Sequence, residues 1–212
     1  MTDSDTRPGG HHAAAAAPAH DGTPIAAETS PQTLTLLQAR RSLPLRSLVE
    51  PGPDAEALDA ILAAALRVPD HGRLVPWRFI VLEGAARAEA GERFDALYKV
   101  QNPDLPAAKA DMWRTYLLRA PVTVVAVSRT DPASKIPEFN QVLSAGAACM
   151  NLIVAATALG FAAHWLLKWP GRDSAAAAIL GVQPHERVAG FLHLGSPAER
   201  VADRPRPAFA MS

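Results

Sequence analysis

From Val142 to Ala163 the chain runs for 22 residues without a charged side chain. A run of that length is long enough to cross a bilayer as a helix. Its contents argue against a membrane: Ser144, Gly146, Asn151, Thr157, Gly160 and many alanines make it far less apolar than a Leu-rich span. The expectation is a long buried helix whose small residues, Ala145, Gly146, Ala148 and Cys149, let another helix approach closely. A second copy of the chain is one candidate for that helix. Cys149, in the middle of the run, reads as a small packing residue and not as a nucleophile.

A helix of this kind needs a domain around it. The 212 residues are 49% hydrophobic, but about one residue in five is Ala, which adds little buried area. Such a chain gains from burying surface against a partner. The 21 basic and 21 acidic side chains cancel, and nothing in that balance suggests a nucleic-acid binder. One cysteine excludes an internal disulfide and a Cys-based zinc site, and favours a reducing, cytoplasmic compartment.

Residues 1–30 contain no Leu, Phe, Val or Trp and read as a disordered leader. Ala13 to Ala17 are too short and too weakly apolar for a secretory signal, and Asp3 and Asp5 precede them. Residues 31–212 read as one domain. Order is expected from Leu34, in a short helix whose last turn carries Arg40 and Arg41. Asp54 caps a second helix through residue 66, with one apolar face and Pro69 beyond it. Residues 77–82 (WRFIVL) and 122–128 (VTVVAVS) read as strands, the second buried on both faces. Helices are expected at 84–99, 107–118 and 173–180, with a further apolar run at FAAHWLL and a last strand at VAGFLHLG. Helix and strand signals alternate, which points to a sheet layered with helices.

The usual catalytic signatures are missing. There is no GxSxG, P-loop, HExxH or GxGxxG. His71, His164, His185 and His193 have no metal-ligand spacing, so no metal site is expected. What stands out is a combination in order: Arg40-Arg41-Ser42, then PDHGRLVPWRF from Pro69, then the long small-residue segment ending in Leu159-Gly160-Phe161 and Trp165, then FLHLGSP.

In that combination the sequence resembles the nitroreductase family of flavoproteins, in the compact branch with RRS followed by PDHxxxxPW. The resemblance covers about residues 34 to 207. It implies an α+β fold with a mixed central sheet flanked by helices, a homodimer around the long helix, FMN held without a covalent bond, and NAD(P)H as hydride donor to a small-molecule electron acceptor. It also implies FMN contacts at Arg40, Arg41, Ser42, Arg67 and His71, at the loop Trp165-Leu166-Leu167, and at a late basic position matched by Arg204 and Arg206. Ala155, Ala156, Thr157, Ala158, Leu159 and Gly160 match the nicotinamide nucleotide region, where packing at the end of a buried helix is the competing reading.

The chemistry of the residues agrees. A flavin phosphate needs concentrated cationic donors, and arginine supplies planar, multiply bonding ones. The cofactor carries the bond-making, so no triad is required. Three departures from the pattern stand out: Val75 and Asn140 replace residues that are commonly polar or basic and Glu, and Leu167-Lys168-Trp169 replaces a small hydroxyl residue and Gly. The bulk at 167–169 is expected either to narrow the space over the flavin or to leave the backbone donors in place. The implied activity is reduction of nitro compounds, quinones or similar electrophiles. The alternatives are another net reaction on the same fold (flavin breakdown or activated-alkene reduction), a flavin-binding module without turnover, and a cofactor-free structural dimer.

Overall fold

The computed structural model describes residues 29–208; the leader expected at 1–30 lies almost wholly outside them. Helix α1 (Pro31–Ala39) starts earlier than Leu34, because the Ser30 hydroxyl accepts from the Thr33 N–H and Pro31 stands at the first helical position. Then come β1 (Leu48–Val49), α2 (Ala55–Ala65), β2 (Trp77–Leu82), α3 (Gly84–Gln101), β3 (Val122–Ser128), α4 (Glu138–Ala158), β4 (Ala162–Leu166), α5 (Trp169–Arg172), α6 (Ser174–Ile179) and β5 (Arg187–Pro197).

The strands form one sheet in the order β1-β5-β3-β2, with β4 also paired to β5. Every pairing is antiparallel, so among the described residues the sheet is antiparallel and not the mixed one that the resemblance implies. Alternation along the strands splits the core in two. On one face Val125, Val127, Val188 and Phe191 meet α3, α6 and the segment from Trp113 to Leu117. On the other, Val124, Ala126, Leu192 and Leu194 meet α2 and α4. β3 is buried along its whole length, as its uninterrupted apolar run requires.

The segment expected as a helix at 107–118 forms only single 3-10 turns, Ala107–Lys109 and Leu117–Arg119. Asp111 between them has φ +63, which no right-handed helix tolerates. Its carboxylate is held by Lys99 at 2.9 Å and by Arg114 at 3.4 Å.

Helix α4 buries one face, including Ala145, Ala148, Cys149, Leu152 and Ile153, against α2 and the sheet. It is long and apolar enough to span a membrane by length and composition, yet it packs as a core helix here. Its other face is open: Phe139 is 70% and Leu143 56% exposed, with Val142 beside them. The expected burial is thus met on one side only within a single chain.

Candidate functional site

Helix α1 ends without a charged last turn. Arg40 is its C-cap in extended conformation, with its N–H bonded to Leu36 O at 2.8 Å. The arginines therefore lie beyond the helix, where the chain is extended and their side chains are free of the helix surface. Downstream of β5 the tail folds back: the Ala198 N–H bonds to Ser47 O at 2.9 Å, and Ser47 Oγ donates to Glu199. The Arg41 guanidinium donates to Ala202 O.

These two segments close a cavity of about 260 Å³ lined by Arg40, Arg41, Ser42, Arg204 and Arg206. The sequence reading expects all five together, and the fold brings them together. One carboxylate serves the cluster: Asp203 lies 3.5 Å from Arg41 and 3.1 Å from Arg206. The Arg204 N–H bonds to Asp203 and, with the two guanidinium groups, holds its carboxyl below the usual range. Sequence reasoning missed Asp203, although an acid inside ADRPRP was the available signal.

Arg40 carries the strongest electrostatic mark. Its Nε is buried with no hydrogen-bond partner. Desolvation, then Arg206, then Arg41, lower its affinity for its proton. A half-buried cation with an unspent donor, beside further cations, is an arrangement that an anion would relieve. A phosphate, with its negative charge and several acceptor oxygens, fits this donor set.

Trp165 and Leu166 lie on β4, and Leu167 just past its end, so the expected loop is an edge strand there. β4 pairs with β5 along one side only, and its outer edge offers backbone groups at Trp165 to Leu167. The bulky substitution points away from that edge. Leu167 and Trp169 pack into the core, where the Trp169 ring lies 4.7 Å from Tyr98, 5.2 Å from Trp113 and 6.4 Å from Phe94. The expected narrowing over the flavin is therefore not seen.

Arg67 and His71 do not line the arginine cavity. They are exposed, on the segment between α2 and β2, which is fastened to α4: Asn151 Nδ2 donates to Ala64 O and to Arg67 O at 3.2 and 2.8 Å, and Ser144 Oγ donates to Pro69 O. Within the segment the Asp70 carboxylate accepts from the N–H groups of Leu74 and Val75 at 3.1 and 2.9 Å. Val75, at φ +48, is a β-branched residue in a region that such residues avoid. Arg129 Nε, donating to Val75 O at 3.1 Å, helps to hold it.

The region Ala155 to Gly160 is first of all a helix stop. The Phe161 N–H reaches Ala156 O at 2.9 Å and the Gly160 N–H reaches Thr157 O at 3.0 Å, with Gly160 at φ +88, the bond pattern of a Schellman cap. Ala156 is in the core, and Ala155 and Thr157 are half-buried. Only Ala158, Leu159 and Gly160 are exposed. Cys149 is buried and desolvation pushes its thiol up to about 12, so it is inert as a nucleophile at neutral pH.

Comparison with known proteins shows the family. Residues 37–196 match the model of the Nitroreductase family. The chain is 35% identical over 169 residues, 77% of its own length and 87% of the relative's, to the Escherichia coli (strain K12) protein named "Putative NAD(P)H nitroreductase YdjA". It is 36% identical over 171 residues, 79% of its length and 89% of the relative's, to the Haemophilus influenzae protein named "Putative NAD(P)H nitroreductase". Among solved structures, a nitroreductase-like family protein from Bacillus cereus superposes with TM-score 0.73 at 18% identity, over 86% of this chain and 95% of that one. A Bacteroides fragilis nitroreductase with bound FMN superposes with TM-score 0.64 at 25% identity, over 85% and 96%. The chain belongs to the nitroreductase family.

Proposed function

We propose that this chain is an FMN-dependent NAD(P)H oxidoreductase that reduces nitro compounds, quinones or similar small electrophiles, as a cytoplasmic homodimer of a single domain, residues 31–212, with neither nucleic acid nor membrane as a partner. The observation that carries the proposal is the convergence of Arg40, Arg41, Ser42, Arg204 and Arg206 on one cavity, with the Arg40 Nε unspent. When bound, FMN would supply the redox chemistry between NAD(P)H and the acceptor.

The protein's part is to bind and orient. Four guanidinium groups and the Ser42 hydroxyl would hold the phosphate, and Asp203 bridges Arg41 and Arg206. The outer edge of β4 at Trp165 to Leu167 offers backbone donors to the ring. Arg67 and His71, which do not line this cavity, are assigned to the flavin of the opposite subunit. The exposed turn at Ala158 to Gly160 is the part of the long helix's end left to meet a nicotinamide nucleotide.

The dimer reading rests on surface that one chain leaves uncovered. Helix α1 has nine residues and buries none of them, and an isolated helix of that length is marginal in water. Leu34, Leu37, Phe139, Val142 and Leu143 are all exposed. A second copy covers them.

The test is Arg40→Ala. Loss of a charge-assisted contact is expected to weaken FMN binding by roughly 10- to 100-fold, while the flavin-free protein keeps its melting temperature because a repelled cation has been removed. Unfolding of the variant with unchanged FMN affinity would make Arg40 a structural residue and overturn the reading.

A further inference from the structure

One row of polar side chains crosses a largely apolar sheet face, which also carries Arg78 opposite Val127. His164 on β4 stands in register with His193 on β5, and His193 with Thr123 on β3. Their neighbours on that face are Val125, Val127 and Phe191. His193 is fully buried, its Nδ1 lies 2.9 Å from Thr123 Oγ1, and its Nε2 has no partner. Buried polar groups are costly unless they are hydrogen-bonded, and the row ends at a further bond. His164 Nδ1 is bonded to the carbonyl oxygen of Leu43. A carbonyl only accepts, so His164 carries its proton on Nδ1.

Leu43 directly follows Ser42. Its side chain is buried with Leu48, Ala120 and Ala162, while the stretch from Arg41 to Leu43 belongs to no helix or strand. The bond from His164 ties this stretch to the sheet. We infer that His164 is a positioning residue for the anion cavity: by holding the Leu43 carbonyl it fixes the backbone from which Arg40, Arg41 and Ser42 project. The inference rests on the reading that this cavity takes the FMN phosphate.

The test compares FMN with riboflavin, which lacks the phosphate, in fluorescence titrations of the full chain freed of flavin. His164→Leu removes the donor and is expected to lower FMN affinity about tenfold, the worth of one hydrogen bond, with riboflavin affinity unchanged. His164→Asn, whose amide nitrogen occupies nearly the place of Nδ1, restores FMN affinity to within about threefold of the parent. If His164→Leu does not fold, His164→Gln, with its amide one bond too far out, is expected to show the same selective loss. Equal loss for both flavins, no loss for either, or failure of His164→Asn to restore binding overturns the inference. Arg40→Ala is titrated alongside: if it too leaves the FMN-to-riboflavin ratio unchanged, the phosphate reading fails and takes the inference with it. If it shifts the ratio and His164→Leu does not, the inference alone fails.

Discussion

Trp165 lies across Gly190, with its indole N–H donating to the carbonyl of Ala189 at 3.1 Å and its ring in the space that a Cβ on residue 190 would take. Ala189 is the residue left over where the β3–β5 register shifts, since Ala126 pairs with Gly190 and Val127 with Val188. The bulge thus turns a carbonyl toward the edge strand, as bulges commonly do near functional sites. Gly190→Ala is expected to push the indole off β5 at a cost of about 1–3 kcal/mol and to loosen the Trp165 to Leu167 edge. A urea titration reads the first effect and an FMN titration the second. Unchanged values for both would mean that the indole has another place to go at no cost.

Leu143→Glu puts a charge on the open face of α4. Because Leu143 is more than half exposed in the single chain, the variant is expected to keep its circular dichroism spectrum. If the proposed dimer forms through this face, sedimentation velocity is expected to show a dimer for the parent and a monomer for the variant, with weaker flavin binding if Arg67 and His71 serve the opposite subunit. A dimer that persists unaltered would move the interface elsewhere.

Arg78 on β2 and Glu186 just before β5 form a two-pronged pair, Nε to Oε1 at 2.7 Å and Nη2 to Oε2 at 2.6 Å. The Arg78 bonds hold the Glu186 carboxyl below its ordinary 4.5. The folded state therefore binds this proton less readily than the unfolded state, and the pair's contribution is complete above about pH 5 and lost as pH falls through the lowered folded value. Arg78→Met is expected to cost roughly 1.5–3 kcal/mol at pH 7, the range for hydrogen bonds to charged groups. Urea midpoints at descending pH should bring parent and variant together in acid. A gap that stays constant to pH 2 would show that the guanidinium acts through packing and its 2.9 Å bond to the Gly181 carbonyl, and not through Glu186.

What the sequence made legible depended on range. The α2 cap at Asp54, the strand at 77–82, the doubly buried strand at 122–128 and the final strand are local signals of period and punctuation, and each is present. The five residues of the arginine cavity were legible because two short basic motifs marked both ends of the chain. The helix expected at 107–118 failed because Asp111 answers to Lys99, 12 positions back on α3, as well as to Arg114. The same holds for Trp169, whose bulk looked like an obstacle until α3 supplied Tyr98 as its neighbour. His164 in FAAHWLL showed only a polar residue in a strand, and its bond to Leu43 spans 121 positions.

The central question is whether the arginine cavity holds the phosphate of a flavin that works. The most direct measurement is the visible absorbance spectrum of the protein as purified, followed under anaerobic addition of NADH or NADPH and then of a quinone or nitro compound. The expected result is a yellow protein whose flavin absorbance bleaches with at least one nicotinamide and returns with the acceptor. A colourless protein that takes up no added FMN, and oxidises neither NADH nor NADPH in its presence, would contradict it.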